Sequence, residues 1–161
     1  MQDSQAPGRA MVALLAASCA IVVANIYYVQ PLIGLIGPDV HMSPRAASLI
    51  VSVTQLGYAA GLLLLVPLGD LLENRRLAVL TIAACMPPLL LAGMARSGAE
   101  MLAASALVGA TSVAAQMLIP LAVHMAPEKR RGRVVGTVMS GLLMGILLAR
   151  PAASAITAAF G

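Results

Sequence analysis

The sequence predicts an all-α fold, a polytopic membrane helix bundle with five transmembrane helices. Three observations carry that prediction. Of 161 residues, 60% are apolar and 10% charged, with mean hydropathy +0.94, whereas a soluble domain has about 25% charged and about 45–50% apolar residues. Five stretches carry almost no charge: 10–38, 46–69, 77–95, 101–127 and 134–161, the last with Arg150 as its single charge. Each is close to or longer than the roughly 20 residues a helix needs to cross ~30 Å of hydrocarbon. Finally, runs such as GLLLLVPL (61–68) and SGLLMGILLA (140–149) do not alternate polar with apolar residues. That excludes barrel strands and leaves helices to satisfy the backbone inside lipid.

The elements follow in order. The first span, near 11–30, begins after Arg9. Its alternative is a signal peptide, with AASC at 16–19 as a cleavage-like stretch. The apolar run continues more than ten residues past Cys19, beyond the usual limit of about 7–15 for such a segment. The second span, near 47–67, starts after Arg45, and the third, near 77–95, fits between Arg76 and Arg96. The fourth, near 101–123, lies between Glu100 and Glu128, and the fifth, near 134–158, follows the basic run EKRRGR. Short connections make sequential helices expected antiparallel neighbours. Gly57/Gly61, Gly132/Gly136 and Gly141/Gly145 form three GxxxG pairs, expected to bring helices close where lipid supplies no hydrophobic drive. Pro31, Pro67, Pro87, Pro88, Pro120 and Pro151 lie within or at the ends of spans, where each removes a backbone donor.

Orientation is read from lysine and arginine in the short loops. With the N-terminus in the cytoplasm, the inner loops hold Arg9, Arg75, Arg76, Lys129, Arg130, Arg131 and Arg133, and the outer loops hold Arg45 and Arg96. The expected location is therefore a bacterial inner membrane with the N-terminus inside, the lipid bilayer being the first partner. The EKRRGR run abuts two spans and no aromatic residue interleaves it, so it reads as a topology anchor and not as a nucleic-acid surface. Cys19 and Cys85 sit in apolar runs without a CxxC or Cys/His cluster, so no metal or cofactor is expected. No GxSxG, HExxH or Walker loop occurs, and no enzyme is expected.

Three segments point to a family. They are VPLGDLLENRRL (66–77), APEKRRGRVVG (126–136) and the spacing Gly132, Gly141, Gly145; ANIYYVQPLIGLI (24–36) adds a fourth. Together they resemble the N-terminal half of a major facilitator superfamily transporter, of the bacterial efflux type that exports drugs, sugars or nucleosides against protons. The resemblance covers nearly the whole chain and implies an incomplete N-terminal half, five helices of the twelve expected. The family's loop between helices two and three reads GxLaDrxGrR. Leu68, Asp70 and Arg75 match it, while Val66, Leu71 and Glu73 depart from it. It implies a conformational latch made of Asp70, Arg75 and Arg76; the alternative is a solvated turn whose arginines set topology. On helix four Gly109 fits the family's glycine, and Ser105 stands where it has arginine. On helix five Ile146 stands for a proline, and Ala149 and Arg150 for a glycine pair.

Polar groups at membrane depth are costly and therefore candidates for function. Arg150 lies 17 residues past Arg133, roughly 25 Å along a helix. Asn25 and Tyr28 share a helix face, as do Gln55 and Tyr58. These five residues form the expected substrate-binding set for a small organic molecule. The alternatives are hydrogen bonding between helices for the neutral residues and snorkelling for Arg150. Gln116 lies deeper on helix four and His124 at its end. Asp39, Asp70, Glu73, Glu100 and Glu128 all fall in loops, so a proton relay is expected in the missing C-terminal half or in another group. The expected function is proton-coupled efflux by alternating access. The chain is expected to be truncated, because the fifth run reaches AAFG without a polar tail. The alternative is a complete five-helix membrane protein with a structural or sensory role.

Overall fold

The computed structural model describes residues 7–71 and 73–160; the side chains of Asp70, Leu71 and Phe160 lie outside that description. All regular elements among the described residues are helical. Five of the resulting helices are long and apolar enough to cross a membrane: Arg9–Asp39, Pro44–Leu64, Asn74–Met94, Gly98–Met125 and Glu128–Ala159. They are called spans one to five below.

Proline and small polar residues shape the spans. Span one runs as a helix over Arg9–Tyr27, tightens to a 3-10 turn at Gln30–Leu32, and resumes over Ile33–Asp39. The end expected near residue 30 is thus a change of pitch. Pro31 occupies an opening position of the 3-10 turn, where its missing N–H costs no ladder bond. Span two starts at Ser43, whose hydroxyl accepts from the Ala46 amide at 3.3 Å, with Pro44 as first helical residue. Span three divides into Asn74–Ala84 and Met86–Met94 around Cys85. Pro87 and Pro88 follow at once and cannot donate to the carbonyls of Ala83 and Ala84.

Span four opens with a reciprocal cap. The Ser97 hydroxyl accepts from the Glu100 amide at 3.3 Å, while the Glu100 carboxylate accepts from the Arg96 amide at 2.8 Å. The span then divides into Gly98–Thr111 and Ala114–Met125. Span five is a 3-10 turn at Glu128–Arg130 followed by one continuous helix, Arg131–Phe160, with Pro151 inside it. Between spans one and two, His41 takes a positive φ of 58°. Buried hydroxyls return to their own helix: Thr54 donates to Ile50, Ser105 to Met101 and Ser112 to Val108, at 2.6–2.7 Å. That is the available partner for a hydroxyl inside lipid.

The packing corrects the expectation that sequential helices are the main neighbours. The most extensive interfaces join span one to span five and span two to span four; spans one and two touch little. Glycine explains the choice. A Cβ on Gly57 would fall 3.0 Å from the Ala106 Cα, and one on Gly61 2.9 Å from a Val113 methyl, so span two lies against span four with its backbone. Gly109 returns the contact, its Cβ position being 2.9 Å from the Tyr58 amide nitrogen. Gly141 and Gly145 do the same on Ala16 and Ala20 of span one, at 2.8 and 2.6 Å from their Cα atoms. In both pairs the contacts advance by four residues in the same direction, so the partners are parallel. Gly132 and Gly136 meet nothing within 4 Å, and the third GxxxG makes no helix contact. Spans three and four do pack as antiparallel neighbours. Span four is the centre: half of its apolar window is buried, against a third or less elsewhere. Large apolar side chains such as Leu63, Leu90 and Leu147 are 65–77% exposed and spread over spans two, three and five, as a lipid-facing surface requires.

Candidate functional site

The two parallel pairs determine where the polar residues fall. On the second pair, Tyr58 of span two accepts a hydrogen bond from Gln116 Nε2 of span four at 3.1 Å. Both residues are half-buried, and Tyr58 packs against the core cluster that includes Val22, Val23 and Ile26 of span one. This bond joins residues 58 apart in sequence. Sequence reasoning placed Gln116 outside the set; only the span-two to span-four crossing reveals it as Tyr58's partner. Gln55, one turn earlier on span two, is exposed.

On the first pair, the register set by Gly141 over Ala16 and Gly145 over Ala20 continues for one more turn. It carries Ala149 to the level of Ala24, and Arg150 to that of Asn25. Span five also touches the 3-10 turn at Gln30–Leu32, so the helices stay together beyond this level. Ala149 and Ala153 are buried on the inner stripe; Arg150 is exposed and Asn25 half-buried. Arg150 has no salt-bridge partner among the described residues.

Tyr28 departs from the expected set. It packs against a separate cluster of Val29, Val40, Ile50 and Met101, and lines a recess of about 300 Å³ with Leu89 and Ala92 of span three. Tyr28 still donates its amide to Ala24 at 3.0 Å with helical dihedrals, so it keeps its spacing from Asn25 but meets different neighbours at the end of the helix.

The loop after span two carries the residues named for a latch. A short helix, Leu68–Leu71, precedes span three. Asp70 belongs to it, but its side chain lies outside the described residues. Arg75 and Arg76 are exposed. Arg76 Nε pairs with Glu73 at 2.8 Å, across one helical turn. Glu73, one of the departures from the family pattern, is therefore the visible acid of this loop. A Cβ on Gly69 would meet the Asn74 side-chain oxygen at 2.7 Å, so glycine lets the short helix fold onto the start of span three. Arg75, Asn74 and Glu73 also line a groove of about 650 Å³ with His124 and with Leu14 of span one. No group of three or more potential metal-ligating side chains occurs among the described residues.

Five apolar helices, parallel glycine-packed pairs and a few polar side chains between and beside them define a multi-pass membrane protein. The Major Facilitator Superfamily profile matches residues 13–161, and the chain belongs to that family. It is 47% identical over 144 residues to an Escherichia coli O157:H7 protein named "Uncharacterized transporter YgaY", covering 89% of this chain and 36% of that protein. It is 42% identical over 158 residues to a Streptomyces coelicolor protein named "Probable transporter SCO4007", covering 98% of this chain and 37% of that one. The chain thus spans little more than a third of the length of these relatives. No solved structure matches the sequence significantly.

Proposed function

We propose that the chain forms most of the N-terminal helix bundle of a secondary active transporter in a bacterial inner membrane, exporting small organic molecules in exchange for protons. Family membership and the transporter names of two relatives support the transport part of this reading. Its direction rests on the resemblance of residues 24–36 to efflux proteins, and its orientation, with the N-terminus inside, on the seven basic residues of the inner loops against two outside.

The observation that carries the reading is Arg150. It stands exposed on a continuous apolar helix, level with Asn25 and without a salt-bridge partner among the described residues. A charge facing hydrocarbon there would cost several kcal/mol. Facing a water-filled pathway between two halves of a transporter, it is solvated and can bind an anionic or strongly polar group of the cargo. Asn25, level with it, and Gln55 of span two supply neutral hydrogen-bonding groups, and the Tyr58–Gln116 pair holds spans two and four together. Tyr28, in its own recess, contributes at the outer end. In this reading Asp70, Arg75 and Arg76, with Glu73, close the inner face when the bundles rock. No acid falls in the interior of spans one to five, so the proposal assigns the proton-carrying group to the C-terminal half.

The test is flux of labelled drugs, sugars and nucleosides in everted vesicles carrying the whole transporter. Arg150→Ala is expected to lower transport by about 10-fold or more, the loss that follows from removing one charged contact. Unchanged flux at normal expression would take Arg150 out of the pathway.

A further inference from the structure

The openings of spans one and five enclose a pocket of about 780 Å³. Its origin is the crossing of these helices. They touch through backbone where Gly141 meets Ala16; one turn earlier, around Val12, Ala13 and Thr137, they part and leave a cleft. Arg9, Arg130 and Arg133 line its mouth. No carboxylate lies among the described lining residues. Glu128, the acid nearest in sequence, is exposed and makes no salt bridge among the described residues. The ion pair seen among the described residues, Arg76 with Glu73, lies in the loop between spans two and three. Three guanidinium groups thus converge on one cleft with no described counter-charge. The floor is apolar: Val12 and Val134 are 9% and 7% exposed. Two turns further along span five, on the helix face of Thr137, the apolar surface continues with Met144, 50% exposed.

We propose that this pocket binds the headgroup of an anionic phospholipid. Guanidinium groups recognise phosphate oxygens in paired, charge-assisted hydrogen bonds, and basic pockets between helices at the membrane boundary select acidic headgroups. A lipid fits better than a free anion because the cleft has two chemistries in the order a lipid has them. The cationic mouth lies at the polar boundary, and the apolar wall below it leads onto the helix surface that the acyl chains cover. Both helices begin here, so their positive dipole ends add to the same field. The pocket lies on the opposite side of spans one and five from the loop that holds Arg45, and it owes nothing to a transported solute. The assignment therefore stands or falls separately from the transport reading.

The test is native mass spectrometry of the purified protein in detergent with equal amounts of phosphatidylglycerol and phosphatidylcholine. The wild type is expected to retain phosphatidylglycerol in at least about 10-fold preference, a conservative value for three basic contacts. The combined variant Arg9→Gln, Arg130→Gln, Arg133→Gln is expected to bring retention to near parity, and Arg45→Gln with Arg96→Gln to leave the preference intact. If the triple variant does not fold, Arg133→Lys is expected to keep most of the preference and Arg133→Gln to lose much of it. Three results would overturn the proposal. The variants at the pocket could keep the preference, or the pair at Arg45 and Arg96 could abolish it equally, which would make the effect one of net charge. Inorganic phosphate in large excess could displace the lipid fully, which would make the pocket a site for soluble anions.

Discussion

The polar residues fall into pairs that the chain order does not suggest. Tyr58 and Gln116 illustrate the physics: each has capacity that its own helix does not fill, and in lipid the partner must come from another helix. Such bonds are worth about 0.6 kcal/mol on average, up to about 1.7. Tyr58→Phe and Gln116→Ala are each expected to cost that much in unfolding free energy in micelles, and the double variant about the same as either single one, because both remove one bond. Fully additive losses would show that the two side chains act independently. Asn25 and Arg150 form a different kind of pair, level through the register of Gly141 and Gly145 on span one. Their polarity was legible in the sequence. The partners were not: spacing along a helix identifies a face, whereas the partner depends on which helix crosses and in which register. Tyr28 shows the same limit from the other side. Three residues from Asn25 and still in helical register, it belongs to another cluster because other elements, carrying Val40, Ile50 and Met101, pack at that level.

At the scale of elements, glycine decides which helices meet. Three GxxxG pairs look alike in the sequence, and two are used. Gly57/Gly61 and Gly141/Gly145 have the backbone of a neighbour where a side chain would be, while Gly132/Gly136 have open space within 4 Å. Gly141→Ala is accordingly expected to force spans one and five apart, at a cost of about 1–3 kcal/mol typical of overpacking. Gly136→Ala is expected to be neutral or slightly stabilising, because alanine favours the helix. Thermal unfolding of the two variants side by side checks this, and equal destabilisation would contradict the packing. The number and type of the helices were legible from charge-free length alone. Their bounds were less so, since Pro31 suggested an end where span one only tightens its pitch, and three of the four connections, all but that between spans two and three, proved shorter than the expected bounds implied. The Arg76–Glu73 pair, both partners more than half exposed, adds little stability by itself. Its interest lies in placing an acid in the loop where the family pattern has glycine.

The whole molecule consists of two parallel pairs, spans one with five and two with four, joined through span four, with span three packed against that helix. The arrangement leaves Arg150 and Gln55 exposed on different helices while the large apolar side chains meet lipid. The sequence displayed the membrane class through composition and the family through its loops. It did not display the parallel pairing, which exists only once helices distant in the chain have met. The central claim is that Arg150 and Gln55 face an aqueous solute pathway and not the bilayer. The native thiols are well suited to testing it, since Cys19 and Cys85 are buried, at 0% and 3% exposure. The most direct measurement is labelling by a membrane-impermeant thiol reagent of Arg150→Cys and Gln55→Cys in the whole transporter, with Leu90→Cys on span three, 65% exposed, as the lipid-facing reference. The account predicts rapid labelling at 150 and 55, slowed by transported solute, and almost none at 90. Labelling at 150 no faster than at 90 would contradict it.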